Sequence, residues 1–339
     1  MMRDAFYEKI RLDVQEQLNT GESKAEVTLE NVTKHNDVEL VGLRVVYEDK
    51  PTSPMRYLND EYDAYLDGCP YQEILAEICE QIEHAPVGKI GKAVDWSYED
   101  IRPHLYIQIS ELDRNRKWLG DKVHEISGDM VLTYHALMDN EFMMRCEISI
   151  TKKLIHLWGI TEETIKADAR ANLDGSEVVV NSLNNVIANE VCPCEVKNLY
   201  DLPKEEWETD EPRLYILNNP VRRYGASQIL RPEVLSQIGE VLGDYYVLPS
   251  SVDEVLLSPK KDALPLSKLS QMVFEINRTE TNKTDVLSDQ VLYYDHDREL
   301  LMNANDYFAR ELGIPAESID VALSKEMENS CDRDCPEER

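Results

Sequence analysis

Over residues 213–302 the hydrophobic period of the chain switches repeatedly between two and 3.6 residues, and a turn signal marks each switch. Residues 214–217 form a short apolar run closed by Asn218-Asn219-Pro220, the mark of a buried strand. Ile229, Val234, Leu235, Ile238, Val241 and Leu242 then recur at helical spacing. Pro232 falls in the first turn of that helix, where its missing N–H costs nothing, and Gly243 falls just past the end. Residues 245–248 and 252–257 read as strands around a Pro249-Ser250-Ser251 turn. Leu266, Leu269, Met272, Val273 and Ile276 make the apolar face of a second helix. Residues 291–295 and 300–302 flank a charged turn as a hairpin. Such a chain can bury its apolar stripes only by packing helices on an antiparallel or mixed sheet, which predicts an α+β fold.

The same reading divides the rest. Phe6, Ile10, Val14 and Leu18 predict a helix, residues 25–32 and 38–47 a hairpin, residues 55–58 a short strand, and residues 62–82 one or two helices. Together they predict a small α/β unit over residues 1–84. Residues 85–99 hold Pro86, Gly88 and Gly91, lack periodicity and read as a linker. Gly88-Lys89-Ile90-Gly91 has the spacing of the loop in KH-type RNA-binding modules, but the helices that must flank such a loop are missing. Residues 100–315 form the main α+β domain, with strands at 105–109, 130–137 and 143–150. Residues 115–120 read as a polar turn. A helix from Lys152 is interrupted at Gly159 and restarts behind Thr161 as N-cap. Strands followed by a helix recur in the 213–302 stretch, which raises the expectation of two similar halves. Residues 204–211 read as acidic and exposed. Residues 316–339 are an acidic tail without apolar periodicity, expected to be disordered.

Charge restricts function more than any motif does. The 339 residues carry 66 Asp and Glu against 36 Lys and Arg, a formal net charge of −30. Binding a phosphate backbone needs a basic face, so direct nucleic-acid binding is not expected. The charge suits a solvated surface, a protein partner that is itself basic, or mimicry of nucleic acid. No run of about 18 apolar residues occurs, so no membrane span or membrane partner is expected. The first residues are charged every few positions and show no signal-peptide core, which points to the cytoplasm. The seven cysteines are odd in number and scattered, as free thiols in a reducing compartment would be.

The candidate functional cluster is Ser250, Ser251, Asp253 and Glu254. A serine beside carboxylates raises the question of a nucleophile, but activation needs a base and an oxyanion hole. No histidine is near in sequence and Gly-x-Ser-x-Gly is absent. The alternative is a turn whose hydroxyls satisfy backbone groups. Asp295-His296-Asp297 offers metal-binding side chains, yet neighbours on a strand face opposite ways, so it reads as a hairpin turn. Cys192-Pro193-Cys194 and Cys331 with Cys335 lack the two-residue gap of zinc sites. Asp174 with Glu195-x-Lys197 only echoes a nuclease pattern. No catalytic residue, metal ligand or cofactor site is assigned, and an activity as an enzyme is not expected.

Several segments carry a resemblance. Leu214-Tyr215-Ile216-Leu217-Asn218, Tyr224-Gly225-Ala226, Tyr246-Val247-Leu248-Pro249-Ser250-Ser251-Val252, and Leu287-Ser288-Asp289 with Tyr293-Tyr294-Asp295 resemble an uncharacterised bacterial family. The resemblance covers most of the chain up to about residue 310. It implies an origin in gut Firmicutes, often near mobile genetic elements, and no activity, cofactor or catalytic residue. It also implies a histidine in relatives where this chain has Asp253. The expectation is therefore an interaction or adaptor protein with a protein partner, serving a mobile element. The alternative is a hydrolase using Ser250 or Ser251 with the nearby acids.

Overall fold

The helical spacing of Phe6, Ile10 and Val14 closes a first core. In the computed structural model, which describes residues 1–20, 24–48, 54–84, 97–139, 145–191, 196–207, 213–315 and 319, these three side chains are fully buried. The chain divides into two compact units: Met1–Asp100 with Asp139–Cys146, and Ile101–Met138 with Glu147–Arg339. Most of the expected linker, residues 85–96, and nearly all of the expected tail lie outside the described residues, as do the KH-like loop and the Cys192, Cys194, Cys331 and Cys335 positions.

The first unit holds α1 (Arg3–Leu18), β1 (Ala25–Lys34), β2 (Val38–Tyr47), β3 (Met55–Tyr57), α2 (Asn59–Leu66) and α3 (Tyr71–Glu83). Its three strands form an antiparallel sheet in sequence order. Val27, Leu43 and Val45 meet Phe6, Ile10, Ile74 and Ile78 in one apolar cluster. Cys69 and Cys79 are free thiols within this unit.

The chain continues through α4 (Tyr98–Ile101), β4 (Leu105–Glu111), α5 (Arg116–Leu119), β5 (His124–Ser127), β6 (Met130–Asp139), β7 (Arg145–Ser149), α6 (Lys152–Trp158) and α7 (Glu162–Asp174). The Thr161 hydroxyl takes the Thr164 N–H at 3.2 Å, the N-cap its position predicted. Strands β4, β6 and β5 lie side by side, and β7 pairs with β6. Residues 115–120 are not the polar turn expected. They form the single turn α5, because Trp118 stacks on the ring of His135 at 6.0 Å and is buried.

The third sheet is built from β8 (Val179–Ser182), β9 (Tyr215–Asn218), β10 (Tyr245–Leu248), β11 (Val255–Pro259), β12 (Leu292–Asp295) and β13 (Leu300–Asn303). The helices around it are α8 (Leu183–Val191), α9 (Pro232–Leu242), α10 (Leu266–Thr279) and α11 (Ala304–Leu312). Its order is β13-β12-β10-β11-β9-β8, every pairing antiparallel. The fold is α+β, with helices on antiparallel sheets. Tyr293 and Tyr246 pack with α10 and α11 in one apolar cluster, while the Tyr294 ring meets that of Tyr245 in a tilted contact at 4.9 Å. Within residues 204–211, Trp207 is buried against Tyr215 rather than exposed, since its ring fills a gap that charge counting could not show. Strand β11 starts at Val255 rather than Val252, because residues 250–254 are drawn into a turn of their own.

Candidate functional site

The turn between β10 and β11 holds all four candidate residues, and it uses each differently. The Ser251 hydroxyl accepts the Asp253 N–H at 3.1 Å, a local turn bond of the expected kind. Ser250 bonds through its backbone, its carbonyl taking the Leu287 N–H at 3.4 Å. The Ser250 Oγ is buried and has no hydrogen-bond partner among the described residues. Asp253 and Glu254 have different partners, Arg223 and the Tyr224 N–H for the first and Asn218 for the second. Among the described residues Glu254 accepts a hydrogen bond from Asn218 at 3.5 Å, and burial pushes its carboxyl above the ordinary value.

Asp253 anchors a second turn. Its Oδ1 accepts the Tyr224 N–H at 2.9 Å and its Oδ2 lies 3.0 Å from the Arg223 guanidinium. Arg222 and Tyr224 both have left-handed backbones, with φ of 53° and 55°, a costly conformation for side chains of this size. Gly225 follows by necessity: a Cβ there would sit 2.5 Å from the Asp253 carbonyl oxygen and 2.9 Å from Asn218 Cα.

Arg223 gathers further acids. Its Nη2 donates to Glu147 Oε2 at 3.0 Å, and Asp285 Oδ1 lies 3.9 Å from Nη1. Behind Glu147 stands His135, which is 0% exposed. Its Nδ1 is 3.4 Å from Glu147 and 3.3 Å from the Ser149 hydroxyl, and its Nε2 is 3.0 Å from the Thr133 hydroxyl. The ring lies between Trp118 and Tyr224, the latter at 5.0 Å. Burial holds the His135 pKa below its ordinary value, so the imidazole is neutral at pH 7. Burial also pushes the Glu147 carboxyl up, but its contacts with His135, Tyr224 and Arg223 outweigh that and leave it well below the carboxylate range. Asp285, with burial the main cause and Arg223 only partly offsetting it, is raised.

This network pins two turns together. It does not place Ser250 or Ser251 against a base: the hydroxyls at the two nitrogens of His135 are those of Ser149 and Thr133, inside the protein, and the ring has no exposed surface. Among the described residues no group of three or more His, Cys, Asp or Glu is placed to hold a metal ion. Asp295 is buried in its hairpin, accepting the Arg298 N–H at 2.9 Å and the Tyr307 hydroxyl, which is a structural use of the Asp295-His296-Asp297 run. Arg223, Glu147 and His135 were not singled out from the sequence. The one local clue was Tyr224-Gly225 after a Pro-Val-Arg-Arg turn, where a glycine follows a crowded residue.

An accessible concavity lies elsewhere in the larger unit, and the same turn contributes to it through Pro249. It is a cleft of about 1000 Å³. Buried Ile109, Leu132 and Ile229 line it, with half-buried Leu292, Leu301 and Met302. Exposed Asp113, Asp129 and Asp306 line it too. Asp113 is neutralised by Arg116 at 2.6 Å, whereas the Asp129 and Asp306 carboxylates have no ion-pair partner among the described residues. Chemically the cleft offers an apolar wall with uncompensated negative charge beside it. No helix among the described residues is long and apolar enough to cross a membrane.

The chain belongs to a family of unknown function, DUF5688, whose model matches residues 3–296. No curated protein and no solved structure matches it.

Proposed function

We propose that this chain, a member of a family whose description names no activity, is an interaction protein that holds a basic, amphipathic segment of another protein in the cleft of its larger unit. The observation that carries the reading is the pairing of a buried apolar wall with the unpaired carboxylates of Asp129 and Asp306. An apolar contact supplies affinity there, and the carboxylates select a basic partner over an acidic one. The net charge of −30 adds long-range attraction for such a partner. The setting we infer is the one the resemblance implies, a cytoplasmic adaptor serving a mobile genetic element.

The hydrolase reading has less behind it. The Ser251 hydroxyl is already committed to a turn bond, and the Ser250 hydroxyl is buried without a base beside it. Arg223 binds the carboxylate that would have to act next to them.

The test is fluorescence anisotropy of the full chain with a lysine-rich amphipathic peptide and its glutamate counterpart. The basic peptide should bind and weaken as salt rises. Asp129→Lys with Asp306→Lys should weaken it about tenfold, as reversal of two rim charges does. Glu16→Lys with Glu73→Lys, a reversal of equal size at exposed positions of the smaller unit, should leave it unchanged. Equal binding of both peptides, or equal effects of the two reversals, would remove the cleft from the argument.

A further inference from the structure

The two edges of the six-stranded sheet are finished differently. At the β8 edge the Leu199 N–H donates to the Val180 carbonyl at 2.7 Å. The Asn198 side chain accepts the Val180 N–H and donates to the Val178 carbonyl, both at 2.9 Å. Residues 196–199 thus close that edge, as native sheets usually arrange.

The β13 edge has no such cover among the described residues. The Ala304 N–H donates to the Val291 carbonyl at 2.9 Å, and the register pairs Met302 with Tyr293 and Leu300 with Asp295. Antiparallel strands alternate between bonded and non-bonded pairs, so Met302 and Leu300 bond to β12 while Leu301 and Asn303 turn their N–H groups outward. No hydrogen bond among the described residues uses the Leu301 N–H, the Leu301 carbonyl or the Asn303 N–H. The sequence Leu300-Leu301-Met302-Asn303 contains no proline or lysine that would blunt an edge. Leu301 and Asn303 also line the acidic cleft.

We propose that the partner segment binds as an added seventh strand on β13. This rests on the cleft reading above and gives it a binding mode. Backbone bonds to Leu301 and Asn303 hold the segment extended. Its alternate side chains are apolar and lie against Leu292 and Leu301, and its basic side chains reach Asp129 and Asp306. A second copy of this chain is a poor occupant, because it brings the same carboxylates to the same rim. The chain's own residues 316–339 are poor too, with eight carboxylates against three cations.

The experiment uses the full chain and a short synthetic peptide alternating lysine and valine, with backbone N-methyl groups on either of its two alternate residue sets. Successive residues of a strand point their N–H groups to opposite edges, so only one set faces β13. Methylating that set should cost at least about tenfold in affinity, the loss of one or two hydrogen bonds, and the other set should stay within about twofold. Leu301→Pro, which removes an outward N–H and no ladder bond, should weaken the unmethylated peptide to a similar degree. Equal affinity, or equal loss, for the two methylated peptides overturns strand addition and leaves the cleft reading standing. Failure of the unmethylated peptide to bind at all removes the cleft reading, and this inference with it. A concentration-dependent dimer that Leu301→Pro dissolves would put a second copy on this edge and overturn the proposal.

Discussion

Asp253 takes the backbone N–H of Tyr224 at 2.9 Å, and so holds a tyrosine whose φ is 55°. The carboxylate binds Arg223 at the same time, so a strained turn and its strongest charge depend on one side chain. The resemblance implies a histidine at this position in relatives. In this chain the position serves a cation and a peptide N–H, both of which want an acceptor that is always available.

Asp253→Ala should therefore lower stability by about 2 kcal/mol, the cost of an unpaired peptide N–H together with a lost ion pair. Asp253→Asn keeps an acceptor for the N–H and should cost about half of that. Urea denaturation of both variants measures the difference. Equal losses would mean that the charge on Arg223, rather than the Tyr224 N–H, is what the carboxylate secures.

Gly225→Ala should be among the most damaging single substitutions. The new methyl meets backbone atoms of Asp253, Asn218 and Asn219, which cannot swing aside as a side chain could. A loss of about 3 kcal/mol or more is expected, or failure to accumulate as folded protein. A melting temperature close to that of the parent would show that the two turns can part.

The two serines should separate. Ser251→Ala removes the acceptor of the Asp253 N–H and should cost about 1 kcal/mol. Ser250→Ala removes a hydroxyl that has no partner among the described residues and should be nearly neutral. Neither serine should react with a fluorophosphonate probe. Stoichiometric labelling of one of them, lost in the matching alanine variant, would promote the hydrolase reading over the interaction reading.

His135 should make stability depend on pH. Burial, with repulsion from Lys122 and Arg223, holds its native pKa down, and contact with Glu147 offsets this only in part. Unfolded, the imidazole titrates near about 6.5, so below that pH the unfolded chain takes up a proton that the native state refuses. Stability should fall as pH drops below that value, until native His135 itself titrates. Glu254 and Asp285 act oppositely in the carboxylate range: their raised native pKa values favour proton uptake by the folded state. Glu147, held low, removes stability at still lower pH. Imidazole proton shifts followed by NMR should show the His135 midpoint below the ordinary value of about 6.5. An ordinary titration midpoint would mean that water reaches the ring.

Where a residue's partner lies within a few positions, the sequence alone was enough. Thr161 caps its helix through Thr164, Pro232 opens α9 and Gly243 follows its end, and residues 292–303 form the hairpin that their alternation predicts. Local periodicity records which face of an element must leave water, and that suffices to choose helix or strand and to assign the α+β class. Trp118 and Trp207 lie in runs, 115–120 and 204–211, that read as polar or exposed, because a single ring inside a polar run carries no period and only the cavity it fills decides its burial. The candidate site depended on tertiary structure in the same way. Arg223 meets Glu147 from 76 residues away, and a charge pair leaves no pattern in either stretch of sequence. The open edge at β13 was equally illegible. Which strand ends a sheet follows from the order in which hairpins stack, β13 outermost beside β12, and not from anything in the four residues themselves.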